Sequence, residues 1–159
     1  MIKAGDKIPS VTIKQATPEG GSDVDPAALF AGKKVIMFSL PGAFTPTCSQ
    51  KHLPGYVAEL PALKAKGIDI VACLSVNDAW VMKAWAEEHD ALGKIVMLAD
   101  GSAAFTKALG IEVDLTKAQM GIRCGRGLFV IDDGVVKSVD MEAPGKFEVS
   151  GVEACMMKV

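Results

Sequence analysis

Only two histidines stand in this chain, and no two of its four cysteines lie within four positions of one another. The paired spacing of a structural zinc site is therefore missing, and no metal is expected. There is little excess of charge of either sign. A net charge of −2 and a pI near 5.7 leave no basic face for nucleic acid or an acidic membrane surface. The longest apolar stretches, near Val35–Leu40 and Ile68–Ser75, are far too short to span a bilayer. Met1-Ile2-Lys3-Ala4-Gly5-Asp6-Lys7 has no signal-peptide core. The expectation is a cytoplasmic protein, or an organellar one if a transit peptide was removed ahead of this numbering.

What is present is enough apolar material for a core. Half of the 159 residues are hydrophobic and the mean hydropathy is +0.29, so a compact fold is expected rather than disorder. With no repeat, linker or low-complexity segment in sight, residues 1–159 are read as one domain. Val11–Gln15 alternates and predicts an edge strand, and Asp25-Pro26 predicts an N-cap and first helical residue. Lys34–Leu40 and Ile68–Ser75 predict buried strands, with a helix running from Cys48 towards Lys66 between them, bent at its prolines. Asn77 or Asp78 caps a helix carrying Trp80, Trp85 and His89. Ile95–Leu98 is a third short strand, and Ser102–Leu109 a helix ending at Gly110. Asp132-Asp133-Gly134 between two apolar runs predicts a hairpin. Ser150-Gly-Val-Glu153 predicts a capping box opening a last helix. Strands alternating with helices imply an α/β fold with a mixed sheet.

The chemistry concentrates in Pro41-Gly-Ala-Phe-Thr-Pro-Thr-Cys48-Ser-Gln, directly after the strand ending at Leu40. A strand that empties into a proline-stiffened turn and opens a helix at a cysteine favours thiolate. Helix-end N–H groups and the macrodipole both stabilise negative charge there. Thr45 offers a hydroxyl to the same sulfur, and Lys51 and His52 offer positive charge or hydrogen bonds from the first turns. In a reducing cytosol the four cysteines, Cys48, Cys73, Cys124 and Cys155, are read as free thiols rather than two disulfides. Gly121, Gly125 and Gly127 lack the order of a dinucleotide fingerprint, so no organic cofactor is expected.

Pro41-x-x-x-Thr45-x-x-Cys48 resembles the active-site motif of the peroxiredoxins. The longer Pro-Gly-Ala-Phe-Thr-Pro-Thr-Cys-Ser, with Lys51-His52-Leu53-Pro54-Gly55-Tyr56, is similar to the peroxiredoxin-5, or type II, subfamily. The likeness continues through Ser75-Val76-Asn77-Asp78 and Leu98-Ala99-Asp100-Gly101-Ser102 to the end of the chain. It implies a thioredoxin-like fold, a central mixed sheet flanked by helices, and reduction of hydrogen peroxide and alkyl hydroperoxides through a cysteine sulfenic acid. By position, Cys48 is the implied nucleophile, Thr45 orients the peroxide, Pro41 shields the pocket, and Arg123 holds the thiolate and stabilises developing charge. The resemblance selects Arg123 over Arg126. Cys124 stands where type II members usually carry serine, and Gly127 replaces a larger residue.

For the resolving step, the spacing of Cys73 from Cys48 resembles that of plant-type members, although Ile70-Val71-Ala72-Cys73-Leu74 also fits an ordinary buried strand. Cys155 lies several residues off the position used by animal-type relatives. The remaining route is an external thiol, with glutaredoxin/glutathione or thioredoxin as electron donor. A homodimer is implied as well. Two readings from other classes stand beside this one: a thiol redox sensor on the same scaffold, and a Cys–His hydrolase with His52 as base. The hydrolase is the weaker, because His52 belongs to the nucleophile's own helix and lacks an orienting carboxylate.

Overall fold

In the computed structural model, which describes all residues Met1–Val159, nine strands and five α-helices are placed by a simple alternation. Along β3 (Lys34–Ser39), Val35 and Met37 face one side of the sheet while Ile36 and Phe38 face the other. In β4 (Ile70–Ser75), Ala72 and Leu74 share the first side, Val71 and Cys73 the second. Strands apolar on both faces are central strands, covered by helices above and below. They pair in parallel, Phe38 opposite Cys73, with β5 (Val96–Ala99) parallel on the far side of β4.

The seven-stranded sheet has the order β2-β1-β5-β4-β3-β8-β9, its outer pairings all antiparallel. Here β1 is Ile13–Thr17, β2 Gly20–Val24, β8 Gly127–Asp132 and β9 Val135–Met141. The strand expected at Val11–Gln15 is displaced by two residues and lies inside the sheet. The edge belongs to β2, Gly-Gly-Ser-Asp-Val, whose polarity hid it. A small second sheet joins β6 (Glu112–Asp114) to β7 (Ile122–Cys124).

The helices are α1 (Pro26–Phe30), α2 (Leu53–Ala65), α3 (Ala79–Glu88), α4 (Ala104–Leu109) and α5 (Val152–Met156). Asp25 and Asp78 cap α1 and α3, accepting from Ala27 and Val81 N–H. Asp133 and Gly134, both at positive φ, turn β8 into β9. The capping box at Ser150 does not form. Gly151 is the N-cap of α5 without a side-chain bond, because the Ser150 hydroxyl donates to Glu142 instead. None of these helices is long and apolar enough to cross a membrane.

Two apolar clusters result, one on each face of the sheet. The cluster holding Phe38, Tyr56, Leu63, Trp85 and Met97 also contains Cys48, Cys73 and Cys155. The functional sulfur expected from the sequence is thus set at the rim of a packed core.

Candidate active site

Helical backbone begins at Pro46, and Cys48–His52 forms a single π-helical stretch that runs into α2. Pro54, in the first turn of α2, has no N–H to donate back to that stretch, so the regular hydrogen-bond ladder is interrupted where the two meet. Cys48 is fully buried. Its sulfur accepts a hydrogen bond from a guanidinium, and the donor is Arg126: Nη2 lies 2.9 Å from Sγ. The helix amide expected to help is committed elsewhere, since Ser49 N–H donates to the Thr45 carbonyl at 2.9 Å.

The reading of Arg123 as the thiolate's arginine is corrected by this geometry. Arg123 Nε donates to the Met120 carbonyl at 2.9 Å and Nη1 to the Pro41 carbonyl at 3.2 Å. It braces the loop before Cys48 rather than touching the sulfur. A Cβ on Gly42 would come within 2.9 Å of Arg123 Nη1, so a side chain there would displace the guanidinium from this position. Arg123 is the middle residue of β7, whereas Arg126 follows Gly125 after the strand has stopped and turns its side chain towards the π-helix. Thr45 also departs from expectation. Its hydroxyl donates to the Gly42 carbonyl at 2.7 Å rather than to Cys48, and so offers its lone pairs outward.

His52 completes the arrangement. Its Nδ1 lies 2.8 Å from Arg126 Nη1 and its Nε2 3.0 Å from the Ser150 carbonyl. An arginine cannot accept and a carbonyl cannot donate, so the ring is neutral with its proton on Nε2. Burial, helped by the Arg126 charge, pulls the His52 pKa down to about 3. The sequence reading put His52 beside the sulfur; the structure puts Arg126 between them. Lys51 is exposed.

The neutrality of His52 has a thermodynamic consequence. Between pH 6.5 and about 3 an unfolded chain binds a proton that the folded one refuses, so stability falls as pH falls through that window. The loss from this residue between neutral pH and pH 4 is on the order of 3 kcal/mol. Urea denaturation at both pH values should show His52→Leu losing correspondingly less stability than the parent; equal losses would mean the imidazole titrates normally.

The other thiols differ from Cys48. All four cysteines are free. Cys73 is buried in β4, and burial, then the nearby Cys48 sulfur, pushes its pKa well up. Burial raises Cys124 to about 12, and its Sγ donates to the Leu40 carbonyl at 3.0 Å. Cys155, on α5 beside Tyr56, is raised by burial to about 11. None matches the guanidinium-bound setting of Cys48.

Trp85 is fully buried and its Nε1 donates to Ser49 Oγ at 2.9 Å, whereas Trp80 is exposed. Beside the sulfur a pocket of about 460 Å³ is lined by Pro41, Thr47, Arg126, Glu142 and Phe147. The Phe147 ring stands 5.9 Å from the Arg126 guanidinium carbon and edge-on to His52. A second pocket, about 380 Å³, lies by Trp80 and α3 and does not reach Arg126, the residue that touches the sulfur. The first therefore has the chemistry.

The sequence profile of the family described as Redoxin matches residues 3–156. Peroxiredoxin-2E, chloroplastic, from Arabidopsis thaliana is 46% identical over 156 residues, spanning 96% of this chain and 67% of its own length. Among solved structures, reduced Prx3 from Vibrio vulnificus in complex with H2O2 is 51% identical with a TM-score of 0.95, over 99% of each chain. Peroxiredoxin 5 from Alvinella pompejana is 37% identical with a TM-score of 0.86, over 99% of this chain and 97% of its own.

Proposed function

Because this chain belongs to the redoxin family, and within it to the type II peroxiredoxins, thioredoxin-fold enzymes that reduce peroxides with a thiol, we propose that Cys48 is the sulfur that does so here and that residues 1–159 act as one domain. The observation that carries the proposal is the 2.9 Å bond from Arg126 Nη2 to Cys48 Sγ. A fixed guanidinium in a water-poor setting favours thiolate over thiol. The thiolate attacks one oxygen of a hydroperoxide; the S–O bond forms as the O–O bond breaks. The departing oxygen takes a proton and leaves as water or an alcohol, and Cys48 becomes a sulfenic acid. Arg126 faces the charge that develops on the oxygens, which is where preorganised donors have most effect. Thr45, its own proton given to Gly42, can accept the O–H of the incoming peroxide, and Pro41 walls the pocket.

For regeneration, an external thiol is the better-supported partner. Cys73 and Cys155 are buried and their thiols pushed up, so little thiolate stands ready to attack the sulfenic acid. Glutaredoxin/glutathione or thioredoxin would then form the mixed disulfide, releasing water, and a second thiol would restore Cys48. Exposed Phe44 and Ile122, on segments tied together by the Arg123–Pro41 bond, favour a homodimer through this side. A reducing compartment suits the chemistry: the cytoplasm, or a plastid as in the Arabidopsis relative's name.

The test is stopped-flow fluorescence of the fully reduced protein mixed with hydrogen peroxide. Trp85, bonded to Ser49 next to the reacting residue, is the reporter. The first phase should be linear in peroxide and orders of magnitude faster than free glutathione, with recovery only on adding thiol. A rate no greater than that of an ordinary thiol would overturn the assignment; recovery without added thiol would return Cys73 to the resolving role.

A further inference from the structure

Glu142 lies just past the end of β9 and carries nothing in the sequence to mark it. Its carboxylate accepts from three successive amides, Glu148, Val149 and Ser150, each at 2.8 Å, and from the Ser150 hydroxyl at 2.6 Å. Burial acts to raise its pKa, but these hydrogen bonds, that of the Ser150 hydroxyl foremost, outweigh it and hold the carboxyl below its ordinary value. A carboxylate nested in consecutive N–H groups fixes the turn that supplies them. That turn ends at Ser150, whose carbonyl points into the core and accepts from both His52 Nε2 and Tyr56 Oη, at 3.0 and 2.7 Å. Two donors on one oxygen leave the imidazole a single orientation, with the Nδ1 lone pair towards Arg126. The backbone repeats the connection, since Glu142 N–H donates to the Arg126 carbonyl at 2.9 Å. Residue 142 thus holds the main chain of Arg126 directly and its guanidinium through two intermediaries.

We propose that Glu142 is a positioning residue for peroxide reduction, acting through Ser150 and the Nε2–H tautomer of His52 to hold the Arg126 fork on Cys48. This rests on the reading of Cys48 as the reacting thiol. An arginine offered no acceptor on its second nitrogen would rotate among several poses, and the sulfur would lose its donor for part of the time. His52 is the acceptor, and the Glu142 nest is what keeps His52 facing it. The ionisable groups around the sulfur are Arg126, His52 and Cys73.

The experiment measures the second-order rate with hydrogen peroxide, against Cys48→Ser as blank, and records the nitrogen NMR signals of the His52 ring. Glu142→Gln, which keeps the size but places an N–H2 among N–H donors, should displace the His52 ring nitrogen signals and slow the reaction about tenfold. Introduced into His52→Leu, the same change should add less than about twofold, because the path it acts through is already cut. An unchanged rate, or a full further tenfold loss in the His52→Leu background, would overturn the proposal. Should either variant fail to fold, nitrogen NMR of the unaltered protein decides: His52 should be neutral and protonated on Nε2 down to about pH 5, and an Nδ1-protonated or charged ring would refute the path. The NMR readout does not depend on turnover. A protein that shows the His52 signature yet leaves peroxide untouched would count against the peroxidase site and not against this arrangement.

Discussion

Cys48→Ser is expected to abolish peroxide reduction while leaving the fold in place. The hydroxyl is close in size to the thiol and can accept the Arg126 bond, so neither a cavity nor an unpaired guanidinium results. What disappears is the nucleophile, because a serine hydroxyl cannot ionise at neutral pH without a base, and His52 has its one basic nitrogen turned to Arg126. No other sulfur can take over. Cys73, Cys124 and Cys155 are all buried, and burial pushes each thiol up. The loss should be on the order of 10⁶-fold, the scale on which removing a nucleophile acts elsewhere. Peroxide consumption assayed with excess thiol, together with a melting curve, is the check. Retained activity in a folded Cys48→Ser protein would mean that a buried thiol becomes exposed and reacts.

The second large effect separates the two arginines. Arg126→Gln should slow the reaction with hydrogen peroxide 10²- to 10³-fold, as removal of a preorganised donor does. Arg126→Lys should rescue little, since one ammonium cannot serve His52 Nδ1 and the sulfur with the spacing of a planar fork. Arg123→Gln removes bonds to Met120 and Pro41 carbonyls that shape the loop. It should cost less than about tenfold. Pre-steady-state rates across a range of peroxide concentrations measure both variants. If Arg123→Gln proved the more damaging, the contact between Arg126 and Cys48 would not be the working one.

The contrast between these arginines shows what a sequence can carry. The loop from Pro41 to Cys48, the caps at Asp25 and Asp78 and the turn at Asp133-Gly134 are local events, decided within a few residues, and each was readable as written. The central strands were readable because both faces are apolar. Arg126 was not, because Gly-Ile-Arg-Cys-Gly-Arg-Gly contains two candidates in equivalent surroundings, and the choice depends on where β7 stops. The polar strand β2 has no alternation to betray it and exists because β1 offers it an edge. Ser150 looked like a helix cap by its spacing to Glu153, yet Glu142 captures its hydroxyl. Nothing near Glu142 in the chain hints at this. The thioredoxin-like arrangement was thus legible from pattern and resemblance, whereas the donor set around the sulfur is a product of long-range meeting.

That distance has a consequence for the protein's birth. The sulfur and its guanidinium are 78 positions apart, and His52 and the carbonyl that orients it are 98 apart. Once Cys48 has been added, most of the remaining synthesis passes without Arg126, and nearly all of it without Ser150. Through that period the residue is an ordinary thiol, slow to oxidise. On the proposed role of Cys48, reactivity is acquired only when the last third of the polypeptide folds against the first, so a half-made or misfolded copy is spared the oxidation to which the finished enzyme exposes itself.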